Sequence, residues 1–197
     1  MTMNPRSRRP FTAAEFWKMY ELGFFNNQRV ELIGGEIVAM AAQSNWHWVG
    51  VSNVQDALEL VFPRAQCSVR NQASLDLSPL SVPDPDIAVV LGSKRSWAQS
   101  RLNPTAGVVL LIVEVSETTL GEDRSRKSSL YAAAGVADYW ILNLVDNVLE
   151  VRRDPRPDAT QDFGFGYATL TTLTSTDFAT PLAAPAARIA VADLLPN

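Results

Sequence analysis

One stretch of the chain, residues 108–144, constrains the fold more than any other. It opens with an unbroken aliphatic run over 108–113, which is typical of a strand buried on both faces in a helix-covered sheet. A segment of helical composition follows over 123–134, and then a second apolar run, 138–144, rich in aromatic and β-branched residues. The stretch therefore predicts a strand–helix–strand unit, with a right-handed crossover if the two strands are parallel.

An acid stands at the end of the first of these strands. Glu114 follows the aliphatic run directly and is itself followed by Val115. An ionised carboxylate among apolar residues is costly unless a cation or hydrogen bonds compensate it. The predicted helix carries Asp123 and Lys127 at a spacing of four, which alone would fit an ordinary surface ion pair worth about a few tenths of a kcal/mol. These residues form the first candidate site.

Two helices and a hairpin are predicted before this stretch. Thr12 and Glu15 form a capping-box pattern, which starts a helix at residue 13 that runs to about residue 22. Residues 29–41 predict a β-hairpin that turns at two adjacent glycines. A longer helix is predicted over 46–62, with His47 in its first turn and a proline directly after it.

Shorter strands complete the predicted sheet. Two short strands are predicted within 66–77, an apolar strand over 86–91, and an irregular polar segment over 92–107. After the central stretch, the sequence predicts strands at 148–152 and 167–173 and a short closing element at 189–195. The chain is therefore predicted to be a flexible N-terminal arm, residues 1–10, followed by one α/β domain, residues 11–197, in which helices flank a mixed central sheet.

Composition limits the kinds of site this chain can carry. The single cysteine, Cys67, excludes an intrachain disulfide and a thiolate metal cluster, and the single histidine, His47, excludes a multi-histidine site. No apolar run is long enough to cross a bilayer, and no signal-peptide pattern follows the basic N-terminus, so a cytoplasmic location is expected. A net charge of −4 argues mildly against indiscriminate nucleic-acid binding, although it leaves room for a local basic cleft.

Several motifs occur in an order that is typical of one family. They are V-E-L-I-G-G-E-I, a helix opening near His47, P-D-I-A-V-V, L-L-I-V-E-V-S-E-T-T-L, E-D-R-S-R-K-S-S-L-Y-A-A-A-G-V-A-D-Y-W-I-L-N-L, and the final A-V-A-D-L-L-P. Together they resemble the Uma family of restriction-type endonucleases, within the PD-(D/E)XK nuclease superfamily. The resemblance covers nearly the whole chain, residues 11–196, and implies a restriction-endonuclease-like fold.

The resemblance also implies roles for individual residues. Asp86, in the P-D element, and Glu114 would be metal ligands, with Mg²⁺ as the cofactor and Mn²⁺ as its substitute. The superfamily's lysine usually stands two residues after the second acid, where this chain has Ser116. In the family the lysine has moved to the following helix, where this chain has Lys127. Glu31, in the E-L-I element, would complete the catalytic site.

Phosphodiester hydrolysis needs residues of these types. A divalent cation holds the scissile phosphate and lowers the pKa of an attacking water. Mg²⁺ prefers carboxylate oxygens and keeps several waters, so two or three acids suffice. A lysine beside them can orient the water or stabilise charge developing on the phosphate. The expected function is therefore a Mg²⁺-dependent endonuclease that cuts DNA, and a homodimer is expected because related nucleases pair to cut two strands.

Each of these residues also has a structural alternative. Glu114 could pair with an arginine at the edge of the core, and Asp86 could simply open a strand after Pro85. Glu31 has a rival in Glu36 on the opposite strand of the hairpin. Two other functions stay open: a non-catalytic nucleic-acid or protein-binding module on the same fold, and a phosphoesterase acting on small substrates, which the negative net charge favours.

Five further residues receive structural interpretations. His47 is interpreted as a hydrogen-bonding residue of a helix start. Gln72 is interpreted as a side chain that satisfies backbone groups, with a place in the lining of the cleft as the alternative. Asp84 is interpreted as an acid without a role. Tyr139 and Trp140 are assigned to the core. The strands at 148–152 and 167–173 are the expected homodimer contacts, because exposed strand edges invite pairing.

Overall fold

A six-stranded mixed sheet forms the centre of the computed structural model, which describes residues 9–26, 28–40 and 42–196. Residues 1–8 of the predicted arm lie outside these ranges. In spatial order the strands are β3 (Cys67–Asn71), β4 (Ile87–Leu91), β5 (Val109–Ser116), β6 (Asp138–Asn143), β7 (Val148–Pro157) and β8 (Phe165–Leu173). The β5–β6 pair is parallel and the other four pairs are antiparallel, so the predicted mixed sheet is confirmed.

Helices and two small hairpin-like sheets surround the central sheet. The helices are α1 (Ala13–Glu21), α2 (Asn45–Val61), α3 (Lys94–Ser100), a 3₁₀ turn (Ala106–Val108), α4 (Leu120–Glu122), a π-helical turn (Asp123–Lys127), α5 (Ser128–Ala133) and α6 (Val191–Leu194). The small sheets pair β1 (Val30–Ile33) with β2 (Glu36–Ala39), and β9 (Phe178–Ala179) with β10 (Ile189–Ala190). No helix within the described residues is long and apolar enough to span a membrane.

Both faces of the sheet are buried, as the aliphatic run in β5 predicts. Leu111, Val113 and Val115 belong to the apolar cluster that includes the inner face of α2. Ile112, which alternates with them, belongs to the opposite cluster, which includes residues of α5. Because side chains alternate along a strand, Glu114 faces the α5 side. The alternation places this acid beneath a helix and away from solvent.

The ends of the predicted elements differ from the structure in several places. The helix predicted over 123–134 begins at Leu120 and contains a π-helical turn. The segment 66–77 holds one strand, β3, where two were predicted, and the segment predicted as irregular contains α3. The strand predicted at 148–152 extends to Pro157 and lies between β6 and β8. It is not an exposed edge, so that part of the predicted homodimer contact is wrong.

Candidate active site

A cavity of about 300 Å³ opens where the hairpin, the end of β5 and the π-helical turn meet. Acids predominate among its charged or titratable lining residues, which are Glu31, Asp84, Asp86, Glu114, Glu117, Glu122, Asp123, Lys127 and His47. All four residues predicted for the catalytic site, Asp86, Glu114, Lys127 and Glu31, are in this set. The structure therefore brings them together, although they come from four separate segments of the chain.

Glu114 is one of the most deeply buried acids of the cavity, with 3% of its side chain exposed. One carboxylate oxygen, Oε1, accepts hydrogen bonds from the Lys127 ammonium at 3.1 Å and from the Tyr131 hydroxyl at 2.6 Å. The other, Oε2, accepts from the backbone N–H of Asp86 at 3.2 Å. Burial raises the pKa of Glu114 to about 8. The positive charge of Lys127 opposes this rise, and the negative charges of Asp123 and Asp86 add to it.

Asp86 lies beside Glu114 because β4 and β5 are neighbouring strands. Its Oδ2 accepts from the backbone N–H of Val115 at 2.9 Å and lies 3.1 Å from Nε2 of His47. Burial would raise the pKa of Asp86, but the hydrogen bond and the charge of His47 hold it below its ordinary value. Burial lowers the pKa of His47, but the hydrogen bond and the charge of Asp86 raise it above its ordinary value. Asp86 therefore stays ionised although it is buried.

Lys127 lies among three carboxylates. Its Nζ is 3.1 Å from Glu114, 3.6 Å from Glu31 and 3.9 Å from Asp123. Its side chain is only 11% exposed, so this is not the surface ion pair that the spacing alone would suggest. Burial lowers the pKa of Lys127, but the surrounding carboxylates raise it above its ordinary value. The lysine is therefore a permanent cation and not a proton acceptor at neutral pH.

The π-helical turn is the local feature that carries Lys127 into the cavity. It covers Asp123–Lys127, where the sequence predicts an uninterrupted α-helix. Extra residues in such a turn change the direction of the side chains on it, and π-turns often occur at functional sites. Arg126, one residue earlier, donates to Glu36 and to the carbonyl of Ile33, outside the cavity lining. On the same turn, Lys127 therefore points into the cavity, whereas Arg126 points to the hairpin outside it.

Of the two hairpin acids, Glu31 is the one in the cavity. Its side chain is 6% exposed, and its Oε2 accepts from the backbone N–H of Asp84. Burial raises the pKa of Glu31, and Lys127 opposes the rise. Glu36 is 53% exposed, pairs with Arg126 and is not among the cavity-lining residues. The structure therefore favours Glu31 over its rival as the hairpin acid of this site.

Three contacts at the site were not predicted from the sequence. His47 bonds to Asp86, and Gln72 donates to Oδ1 of Asp86 at 3.2 Å, so the interpretation of Gln72 as a partner of backbone groups alone is wrong. No local pattern signals either contact, because the fold brings each side chain to Asp86.

Tyr131, which donates to Glu114, could have been predicted as a site residue, since it lies four residues after Lys127 and such residues share a helix face. Asp84, interpreted as an acid without a role, lines the cavity.

The donor set fits a hard divalent cation better than a soft one. Asp86 and Glu114 offer carboxylate oxygens, which Mg²⁺ and Mn²⁺ prefer, and Mg²⁺ completes its shell with waters and substrate phosphates. Within the described residues, no group of three or more His, Cys, Asp and Glu side chains is arranged to hold a metal ion. The pair of acids, with water and substrate as the remaining ligands, is therefore the arrangement that these residues fit.

The fold is that of restriction-endonuclease-like proteins. It matches a crystal structure described as "a putative nuclease belonging to DUF820" from Anabaena variabilis ATCC 29413, with a TM-score of 0.67. The match covers 94% of this chain and 97% of that one, at 14% sequence identity. At that identity the likeness defines the architecture, and the predicted fold class is confirmed.

The sequence itself identifies the family. The model of the Uma2 family, described as "Putative restriction endonuclease", matches residues 13–192. The chain belongs to the Uma2 family, so the predicted family is confirmed. The family is one of restriction-endonuclease-like nucleases, which act on nucleic acid and generally use divalent metals. No curated protein matches the chain.

Proposed function

We propose that this protein is an endonuclease that hydrolyses phosphodiester bonds in DNA with the help of Mg²⁺, for which Mn²⁺ can substitute. One observation carries the proposal. Two buried acids, Asp86 directly before β4 and Glu114 on the neighbouring strand β5, share a cavity with a lysine ammonium that is itself surrounded by carboxylates. Such a cluster has more negative than positive charge, and a divalent cation would compensate it.

Asp86 and Glu114 would hold the cation, with Glu31 assisting at the hairpin side of the cavity. A cation bound there would hold the scissile phosphate and lower the pKa of an attacking water. Lys127 would supply fixed positive charge to the phosphate or orient the water, because its ammonium stays protonated. Its hydrogen bond to Glu114 places that charge directly beside the metal-binding acid.

Other side chains hold the two acids in position. Tyr131 donates to Glu114, and His47 bonds to Asp86, so neither carboxylate can rotate without losing a buried hydrogen bond. Both donors come from the helices that cover the sheet, one from each side. Positioned ligands of this kind lower the cost of arranging a metal and a phosphate for reaction.

Cleavage of supercoiled plasmid tests the proposal. We expect the purified protein to nick or linearise plasmid with Mg²⁺ or Mn²⁺ and to lose this activity in a chelator or as Asp86→Asn. Hydrolysis of small phosphate esters without DNA cleavage would support the phosphoesterase alternative instead. An absence of Mg²⁺ and Mn²⁺ binding by calorimetry would support a non-catalytic binding module.

A homodimer is the proposed assembly, and β8 is its proposed contact. This strand is the last of the central sheet, and most of its residues are exposed, among them Leu170. An exposed strand edge offers unpaired backbone groups to a second copy. We therefore expect light scattering at micromolar concentration to give the mass of a dimer, and Leu170→Lys to weaken it. A wild-type monomer at that concentration would contradict this prediction.

A further inference from the structure

Arg29, at the entrance to β1, is linked to the candidate active site through one intermediate side chain. Its Nη1 donates to Oε1 of Gln72 at 3.1 Å, and Nε2 of Gln72 donates to Oδ1 of Asp86 at 3.2 Å. The guanidinium is exposed, whereas Asp86 is buried. Two successive hydrogen bonds therefore connect an exposed cation to a proposed metal ligand.

Within the described residues, no ion pair neutralises the charge of Arg29. Over residues 9–26, 28–40 and 42–196, no carboxylate lies within ion-pair distance of it. Other arginines near the cavity differ, since Arg124 pairs with Glu150 and Arg126 with Glu36. Arg29 still acts at a distance, because burial raises the pKa of Asp84 and the charge of Arg29 opposes that rise. An arginine held by a neutral amide keeps most of its five N–H donors available for an external anion.

Gln72 adopts a backbone conformation that side chains other than glycine seldom take. Its φ is +46°, in the left-handed region. A glycine would take this conformation without strain, but it would lack the amide that bonds both Arg29 and Asp86. Residues held in such conformations concentrate at functional sites, where the surrounding structure compensates for the strain. The conformation and the two hydrogen bonds together indicate that Gln72 positions Arg29.

Arg29 lines a second cavity. Its volume is about 390 Å³, and its lining residues are Tyr20, Phe25, Asn26, Gln28 and Arg29. Tyr20 is 55% exposed, and its ring lies 6.2 Å from that of Phe25. An exposed aromatic ring offers a surface on which a base can stack. Asparagine and glutamine amides are the side chains that form paired hydrogen bonds with adenine.

We infer that this second cavity receives the nucleotide next to the scissile phosphate. Arg29 binds the phosphate of that nucleotide, Tyr20 stacks on its base, and Asn26 and Gln28 contact the base edge. The inference rests on the proposed function in taking DNA as the substrate, and it goes beyond it by naming the residues that bind and select the substrate. It also answers an electrostatic problem, because the acidic cavity alone offers a polyanion little attraction.

DNA binding in a chelator tests the phosphate contact without cleavage. Anisotropy of a labelled duplex with the full chain should show that Arg29→Ala raises the Kd roughly tenfold, the loss of one charge-assisted contact. The salt dependence should flatten by about 0.9 in the slope of log K against log salt, which corresponds to one phosphate. The matched control is Arg64→Ala, which removes an exposed arginine just beyond the far end of α2 and should leave Kd within about twofold of the wild-type value.

Three further variants separate positioning and base reading from folding. Gln72→Gly relieves the backbone strain, so its melting temperature should not fall, yet it should weaken DNA binding nearly as much as Arg29→Ala. A purely structural Gln72 would leave binding unchanged. With Mg²⁺ and a library of random sequences, Asn26→Ala and Gln28→Ala should change the base preference beside the cut at least about fivefold. An unchanged preference in both variants would overturn the base-reading part.

The outcomes distinguish this inference from the proposed function. If the wild type cleaves DNA and Arg29→Ala binds DNA equally well, the inference is wrong and the proposed function stands. If the wild type binds DNA through Arg29 but cleaves nothing with Mg²⁺ or Mn²⁺, the phosphate contact of the inference stands and the proposed function fails. A wild type that neither binds nor cleaves DNA overturns both.

Discussion

Glu114→Gln is expected to reduce metal-dependent DNA cleavage to background while the protein stays folded. The amide has nearly the shape of the carboxyl group, but it is a much poorer ligand for Mg²⁺. In metal-free buffer we expect the melting temperature to be unchanged or higher than that of the wild type. Clustered buried acids repel one another without a cation, and the substitution removes one of them.

The gain in stability should depend on pH in a defined direction. Folding raises the pKa of Glu114 from 4.5 to about 8, so between these values the folded chain holds a proton that the unfolded chain releases. The wild type therefore loses stability as pH rises through this window, by an amount on the order of a few kcal/mol. Glutamine has no proton to lose, so the melting-temperature difference in favour of the variant should grow from pH 5 to pH 9.

Hydrogen bonding should not reverse this result. Glutamine must turn its NH₂ group toward one of the donors that Glu114 accepts from, which include Lys127 and Tyr131. The protonated carboxyl of the wild type also carries an O–H group among these donors, so the substitution costs less where Glu114 is already neutral than where it is ionised. Calorimetric melting at several pH values is the measurement, and Glu36→Gln, outside the cavity, is the control. A clear loss of stability at every pH would support the structural alternative for Glu114.

The burial of an acid does not by itself predict a functional site, as a comparison within this chain shows. Asp138 opens β6 and is completely buried, like Glu114. Its carboxylate is satisfied by Arg153 at 2.8 Å, by the Trp140 indole and by the backbone N–H of Leu182. These partners compensate the buried charge of Asp138, and its arginine forms an ion pair with it. Glu114 instead shares one lysine with several other acids. The sequence shows both acids beside apolar strands and cannot show which one has its own arginine.

The fold was predictable because its signals are local. The aliphatic run in β5, the apolar run in β6 and the capping box of α1 each depend on residues near one another in the chain. Glu114 was a candidate from the residues alone, since it ends an apolar run. The role of Asp86 was implied by the family resemblance of its P-D element, which stands at the start of another apolar run. The contacts of His47 and Gln72 with Asp86 join residues far apart in sequence, or depend on an unusual backbone angle, and no local pattern encodes them.

Lys127→Ala is expected to lower turnover by about a hundredfold to a thousandfold, the effect of removing one group that stabilises the transition state. Metal affinity should be retained, because an ammonium cannot be a ligand. Calorimetric titration with Mn²⁺ and cleavage assays on the same samples measure the two quantities. Arg126→Ala is the matched control, since its guanidinium bonds Glu36 and the Ile33 carbonyl and should leave turnover nearly unchanged.

Adding a lysine at position 116 to the Lys127→Ala variant should restore part of the activity. Ser116 is fully buried, and its hydroxyl donates to Asp123 at 2.7 Å. The other oxygen of Asp123 lies 3.9 Å from the Lys127 ammonium, so a longer side chain from Ser116 points toward the same charges. Removing the Lys127 side chain also leaves volume for the new one. Restoration by Ser116→Lys would show that catalysis needs a positive charge at this place, whichever segment supplies it. Full metal-dependent cleavage by Lys127→Ala alone would instead show that Lys127 only compensates the buried acids.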